Sequence, residues 1–385
     1  METKFMANRC LNFKPTLFSR APELMKGMTD VINLSIGDPD FTTPAPIIEA
    51  GCKDALAGHT HYTAVRGDAD VIDAVVRYYK REYDIDVDEK NVCMLASADY
   101  AAFISMFATI QEGDEVLIPD PSFTAYAAQV EYAGGKPVFV PTSEENNWRL
   151  EPAEMEKYIT PKTKALVINS PNNPTGAILT KEDLEAIAEI AKKYDLLVFS
   201  DEIYTWYDFA TPFTSMLSIP GMAERTVVIN SMSKNYVATG ARLGWIIAPQ
   251  QIISGVCSLG LSMVYTAPAI SQRMAKFALD NGREIMQPIM DEFKERLFKT
   301  AERINKIPHL HVQYPPMGTF YLYVNIKETG LTSDEFVLTV LEKAHVMVVP
   351  GQNFGACGEG YVRICVTVGL PKLMEACDRI EAIGL

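Results

Sequence analysis

Three short segments carry residue types that could do covalent chemistry together. SMSKNYVATGARLGW (231–245) holds Lys234, with Ser231 and Ser233 just before it and Arg242 eight residues later. LLVFSDEIY (196–204) ends an apolar run on Asp201 and continues to Tyr204. KALVINSP (164–171) runs into NNPTG (172–176), which carries Asn173. Each puts polar residues after an apolar, β-branched run, and in an open α/β sheet ligands bind at the carboxyl ends of the strands. A lysine beside serines can form a Schiff base with an aldehyde. An aspartate leaving a strand can pair with a protonated ring nitrogen. A tyrosine and an asparagine can hold a phenolic oxygen. An arginine with serine hydroxyls can clamp a phosphate, the guanidinium bidentately. Pyridoxal 5′-phosphate (PLP) has all four groups.

These residues need rigid supports. EVLIPD (115–120), PVFVP (137–141), KALVINSP, LLVFSDE, TVVINSMSK (226–234) and GWIIAP (244–249) are short and apolar on both faces, the pattern of buried strands in a mostly parallel sheet. Amphipathic stretches separate them. In TKEDLEAIAEIAKKYD (180–195), Thr180 predicts a helix N-cap with Asp183 in the first turn, and Leu184, Ile187, Ala188 and Ala191 share one face. Alternating strands and helices predict an α/β domain covered on both faces. A long helical segment (282–306) opens a different region, in which GTFYLYVNI, HVMVVPG and YVRICVTVG are few and far apart, predicting a smaller α+β part. The run FYLYV (320–324) reads as an ordinary strand of that part. The first 40 or so residues do not start the α/β rhythm and are expected to pack with it.

Composition narrows the alternatives. The 385 residues carry 35 Lys+Arg against 49 Asp+Glu, a net charge of −14, which excludes a general affinity for nucleic acid or for anionic membranes. With 48% hydrophobic and 22% charged residues the chain is an ordinary globular one. No stretch approaches the ~20 apolar residues of a membrane-spanning helix. The amino-terminal segment has no apolar core of a secretory signal, and seven scattered cysteines without a C-x-x-C pair read as reduced thiols, so a cytoplasmic setting is expected. The H-x-H pairs His59/His61 and His309/His311 lack further ligands nearby and predict no metal site.

In order and spacing, the motifs resemble the class I/II PLP-dependent aminotransferases, the aspartate aminotransferase superfamily of fold type I, over nearly the whole chain. The resemblance implies a large PLP-binding domain (45–283) with a mostly parallel seven-stranded sheet. It adds a smaller α+β domain built from both termini (1–44 and 284–385). Lys234, Asp201 and Tyr204 would be the catalytic set. INLSIGDPDF (32–41) is similar to the segment that brings Gly37 to the substrate carboxylate. HYTAVRG (61–67) would place Tyr62 on the cofactor phosphate of a neighbouring subunit, so a homodimer with shared sites is implied. DPSFTAY (120–126) would stack Phe123 on the pyridine ring. Asn173, Asp201, Tyr204, Ser231, Ser233, Lys234 and Arg242 would hold the cofactor, and Arg363 of YVRICV, with Gly37 and Asn173, the substrate. At LASADYAAF (95–103) the family's usual glycine-rich turn is replaced by Ser97-Ala98-Asp99, whose backbone amides would cradle the phosphate. The implied reaction is ping-pong amino transfer between an L-amino acid and a 2-oxo acid. A PLP-dependent C–S β-lyase on the same fold is the alternative.

For the side-chain pocket, SMVYTAP (262–268) supplies no cation, and Phe13, Phe18 and Tyr265 are candidates for a neutral or aromatic lining.

Overall fold

A computed structural model describes residues 5–7, 16–17 and 19–385; Phe13 and Phe18 lie outside them. Its centre is a seven-stranded sheet of β2 (Val92–Leu95), β3 (Glu115–Asp120), β4 (Lys136–Pro141), β5 (Thr163–Asn169), β6 (Leu197–Asp201), β7 (Thr226–Ser231) and β8 (Gly244–Ile247). The spatial order is β2-β8-β7-β6-β5-β3-β4. The apolar runs are continuous because both faces are covered. Val116, Ile118, Ala165 and Val167 pack under the helices Ala98–Thr109 and Gln250–Met263, while Leu117, Leu166 and Ile168 pack against the helix Lys181–Lys193. Neighbours on one strand thus point into different apolar layers. Thr180 caps the Lys181–Lys193 helix in a reciprocal capping box with Asp183.

Two strands depart from the sequence reading. GWIIAP is β8, antiparallel to both β2 and β7, because a burial pattern carries no direction. PVFVP is the edge strand β4, with Phe139 exposed and with Lys136 placing a charge on the edge, one usual guard against edge-to-edge pairing. Strand β2 is buried throughout, yet four residues of VCML gave too short a run to stand out.

The smaller part has an antiparallel sheet β11-β12-β9 (Val349–Pro350, Tyr361–Cys365, Tyr321–Asn325), backed by the helices Ser333–Ala344 and Leu370–Ala382. The amino-terminal β1 (Ile32–Asn33) pairs in parallel with β10 (Val346–Met347), so the two ends of the chain meet there. The long helix runs from Ala269 to Ile304, starting well before the expected residue 282, and passes unbroken through position 283.

The sheet order sets the site. Strands β5, β6 and β7 are adjacent, with Asn169 opposite Asp201 and Asp201 opposite Ile229, so the three chemistry-bearing segments leave the same edge side by side. Beside them β2 turns into the Ala98–Thr109 helix through Ser97, whose φ of 105° and ψ of 162° lie in a region essentially reserved for glycine. The turn packs tightly on β8: a side chain at Gly244 would meet Ala98 N, Ser97 C and Asn230 O, each at 2.8 Å. Ser97 caps the helix by accepting from the Tyr100 N–H at 3.2 Å. Replacing such a cap by glycine costs only a few tenths of a kcal/mol, against about 1–3 kcal/mol of backbone strain. Ser97→Gly should therefore stabilise the protein by about 1 kcal/mol, read as a raised midpoint in denaturant; an unchanged or lowered midpoint contradicts the strain.

Candidate active site

The carboxyl edge of the sheet opens into a cleft of about 870 Å³, counting the solvent at its open side. Gly37, Ala98, Asp99, Phe123, Asn173, Asp201, Tyr204, Ser231, Ser233, Lys234 and Arg242 all line it. Their segments are far apart in sequence and meet only because the sheet order brings them together.

Asp201, the last residue of β6, is buried. One carboxylate oxygen accepts from the Tyr126 hydroxyl at 2.5 Å and the other from the Ile203 N–H at 3.3 Å. Burial outweighs these bonds and raises its pKa to about 7. A carboxylate so placed is stabilised by any cation that enters the cleft beside it. Lys234 donates to the Gly37 carbonyl at 2.7 Å, and burial lowers its pKa to about 8, despite the pull of Asp38. Such a lysine is both nucleophilic and able to exchange a proton near neutrality.

The helix beginning at Ala98 presents its first N–H groups to the same space, where they have no intrahelical acceptor. Ser231 and Ser233 add hydroxyls, and the Ser233 N–H donates to Ser231 Oγ at 3.2 Å. Arg242 stands at the rim in a left-handed conformation, its guanidinium donating to the Thr239 carbonyl at 2.9 Å. Asp99 turns its exposed carboxylate to Arg242 at 3.7 Å, leaving the helix start to its backbone amides. An anion cradle, a buried carboxylate, a hydroxyl pair and a desolvated amine thus face one cavity, and that donor set fits PLP.

Asn173 is held by its own loop: its N–H donates to Asn169 Oδ1 at 2.8 Å, while Asn169 Nδ2 donates to the Asp201 carbonyl at 3.0 Å. Arg363, on β12 and buried, donates to Asn173 Oδ1 at 2.9 Å and to the Ser35 carbonyl at 2.7 Å. Its Nε is buried with no hydrogen-bond partner among the described residues.

Three of the expected cofactor- and substrate-binding residues are not on the cleft wall: Arg363, which bonds to Asn173 there, Ser97 and Tyr62. Ser97 is buried behind the helix start as its cap rather than on the cleft wall. Tyr62 is 83% exposed, with its ring edge-on to Tyr265 at 4.9 Å between centroids. The structure also adds cleft residues: Tyr126, Gln129, Asn169, Thr239 and Tyr321. Tyr126 follows Phe123 by three residues, the spacing that puts two side chains on one side of a helical turn. Tyr321 belongs to the run read as an ordinary strand, yet its hydroxyl lies 2.9 Å from that of Tyr204. A side chain at Gly37 would collide with that Tyr321 hydroxyl at 2.3 Å.

The family model for aminotransferase class I and II matches residues 29–380. The chain belongs to this family. It is 40% identical to an aromatic-amino-acid aminotransferase of Thermococcus litoralis over 384 residues, 98% of each chain. It is 41% identical to an aspartate aminotransferase of Pyrococcus abyssi, again with 98% of each covered. The crystal structure of an aromatic aminotransferase from Pyrococcus horikoshii is 40% identical and superposes with a TM-score of 0.89 over 94% of this chain and 98% of that one. The enzyme is accordingly an aminotransferase, of a PLP-dependent family, and nothing in these comparisons favours a C–S lyase. Among the described residues no helix is long and apolar enough to cross a membrane, and no cluster of metal-ligating side chains is present.

A lysine desolvated in this way should react early in a pH titration. In the cofactor-free aminotransferase, acylation of Lys234, followed by peptide mapping, should rise with a midpoint near pH 8. A midpoint above about 10, the range of an ordinary lysine, contradicts the environment described.

Proposed function

We propose that the cleft binds PLP and transfers the amino group of an L-amino acid to a 2-oxo acid by a ping-pong route, each residue taking the role its surroundings support. The observation that carries this reading is the pairing of a carboxylate, Asp201, and an amine, Lys234, both withdrawn from water on the walls of one cleft. When bound, PLP supplies an aldehyde carbon for amino groups and a protonated ring that accepts electrons. Asp201 then faces the ring nitrogen and keeps its proton in place, with Tyr126 fixing the carboxylate. Tyr204 and Asn173 hold the ring hydroxyl and Phe123 covers a face. The amides of Ala98 and Asp99, with Ser231, Ser233 and Arg242, hold the phosphate. Lys234 accepts the proton from the donor's Cα at Nζ and later returns it as a general acid, which its pKa of about 8 supports at neutral pH.

Arg363 is the clamp for the substrate α-carboxylate, seated beside Asn173, with Gly37 on the cleft wall. Its unpartnered Nε supports this role, since a carboxylate satisfies two guanidinium donors at once.

We further propose a homodimer in which Tyr62 reaches the partner's phosphate site. Tyr62, Leu261, Met263, Val264, Tyr265 and Ile270 are large side chains left exposed, the surface a second copy would cover. The two-part division at 44/45 and 283/284 belongs to the same proposal, supported by the pairing of β1 with β10. The scattered thiols support a cytoplasmic setting.

The substrate reading is tested with Arg363→Lys. Lysine cannot reproduce two parallel hydrogen bonds, so kcat/KM should fall by a similar factor, about 10–100-fold, for at least three L-amino acids. A simple amine without a carboxylate should be nearly unaffected, and PLP absorbance unchanged. An equal fall for the amine makes Arg363 a structural residue.

A further inference from the structure

Asp120, the last residue of β3, is buried outside the catalytic cleft and ties the two parts of the molecule together. One oxygen accepts from the Ala356 N–H at 3.0 Å and the other from the Cys357 N–H at 3.2 Å. Two residues on, the Ser122 N–H donates to the Phe354 carbonyl at 2.8 Å. The end of a central strand thus grips both sides of Gly355, in the loop between β11 and β12.

The fit at Gly355 is close. Its φ is 138°, a value that favours glycine, and a Cβ there would sit 1.9 Å from an Asp120 oxygen. The carboxylate fills the space a side chain would occupy. What the grip positions is Phe354, whose ring centre lies 4.8 Å from the Arg363 guanidinium carbon. The Tyr321 ring lies 4.5 Å from the same carbon. Asn173 and Ser35 take one guanidinium nitrogen each. Phe354 and Tyr321 are therefore apolar contacts of the fork, and the loop that carries Phe354 is held by Ser122 and by the Asp120 carboxylate.

We propose that Asp120 is a positioning residue for substrate recognition: by holding the Phe354–Cys357 loop it fixes the plane in which Arg363 presents its donors to the α-carboxylate. This rests on the reading of Arg363 as the carboxylate clamp. A small rotation of a bidentate fork loses one of its two bonds, so the defect belongs in substrate binding rather than in proton transfer at Lys234.

The test compares PLP-loaded wild type, Asp120→Ala, Asp120→Asn, Arg363→Lys and the double variant Asp120→Ala/Arg363→Lys. The readouts are kcat and KM for one L-amino acid, the single-turnover rate with the amine of the same side chain, and the cofactor absorbance. In Asp120→Ala, KM should rise about tenfold while kcat stays within about threefold. The amine rate and the absorbance should not move. Asp120→Asn, which keeps one acceptor oxygen, should show a smaller rise in KM, and it carries the comparison if the alanine variant does not fold. The double variant should be no worse than Arg363→Lys by more than about twofold, because both changes disable one device. An unchanged KM in Asp120→Ala beside a selective defect in Arg363→Lys overturns this inference alone. So does a loss shared by amine and amino acid in Asp120→Ala, or a double variant whose defects multiply. A loss shared by the amine in Arg363→Lys overturns the clamp reading and this inference with it.

Discussion

The structure depends on one electrostatic constraint: a carboxylate and an amine are drawn out of water on the walls of the same cleft, without being paired to each other. Asp201 has a tyrosine hydroxyl and a backbone amide for company, and Lys234 a backbone carbonyl. Neither bond set offsets the loss of water, so both groups move toward neutrality, the acid upward and the base downward. Holding two such groups out of water costs stability, and a ligand with a ring cation for one wall and an aldehyde for the other relieves both at once. Much of the fold reads as the means of holding that arrangement. The β5-β6-β7 order sets Asp201 between its neighbours, and the turn after β7 swings Lys234 across to Gly37.

A second chain of contacts links this centre to the smaller part of the molecule. Asn169 ties the Asp201 backbone to Asn173, Asn173 accepts from Arg363, and Arg363 reaches the carbonyl of Ser35 near the amino-terminal strand. Tyr321 closes the other side through the Tyr204 hydroxyl and its ring against the guanidinium. Segments from five regions of sequence therefore converge where substrate and cofactor would meet.

The strand cores and the chemistry at their ends were legible in the sequence because both follow from local patterns. A buried parallel strand must be apolar on both faces, and Asp201, Asn173 and Lys234 follow such runs directly. What stayed hidden depends on the third dimension. The direction of β8 leaves no mark on its residues, and the role of Tyr321 depends on a strand crossing over the cleft. Ser97 matched a family position for phosphate binding, yet the backbone places its side chain behind the helix start, where it serves as a cap. Tyr126 stood within a motif already noted, but its link to Asp201 spans 75 residues.

The most direct measurement is the affinity for PLP in wild type and Asp201→Asn, by equilibrium titration of cofactor absorbance. Asparagine keeps the shape and removes the charge. Losing one partner of a buried ion pair costs about 3–5 kcal/mol, so PLP should bind at least about two orders of magnitude more weakly, and amino-acid turnover should fall with it. Equal affinity and near wild-type turnover would contradict the account, because the charge on Asp201 would then not be what the cofactor meets.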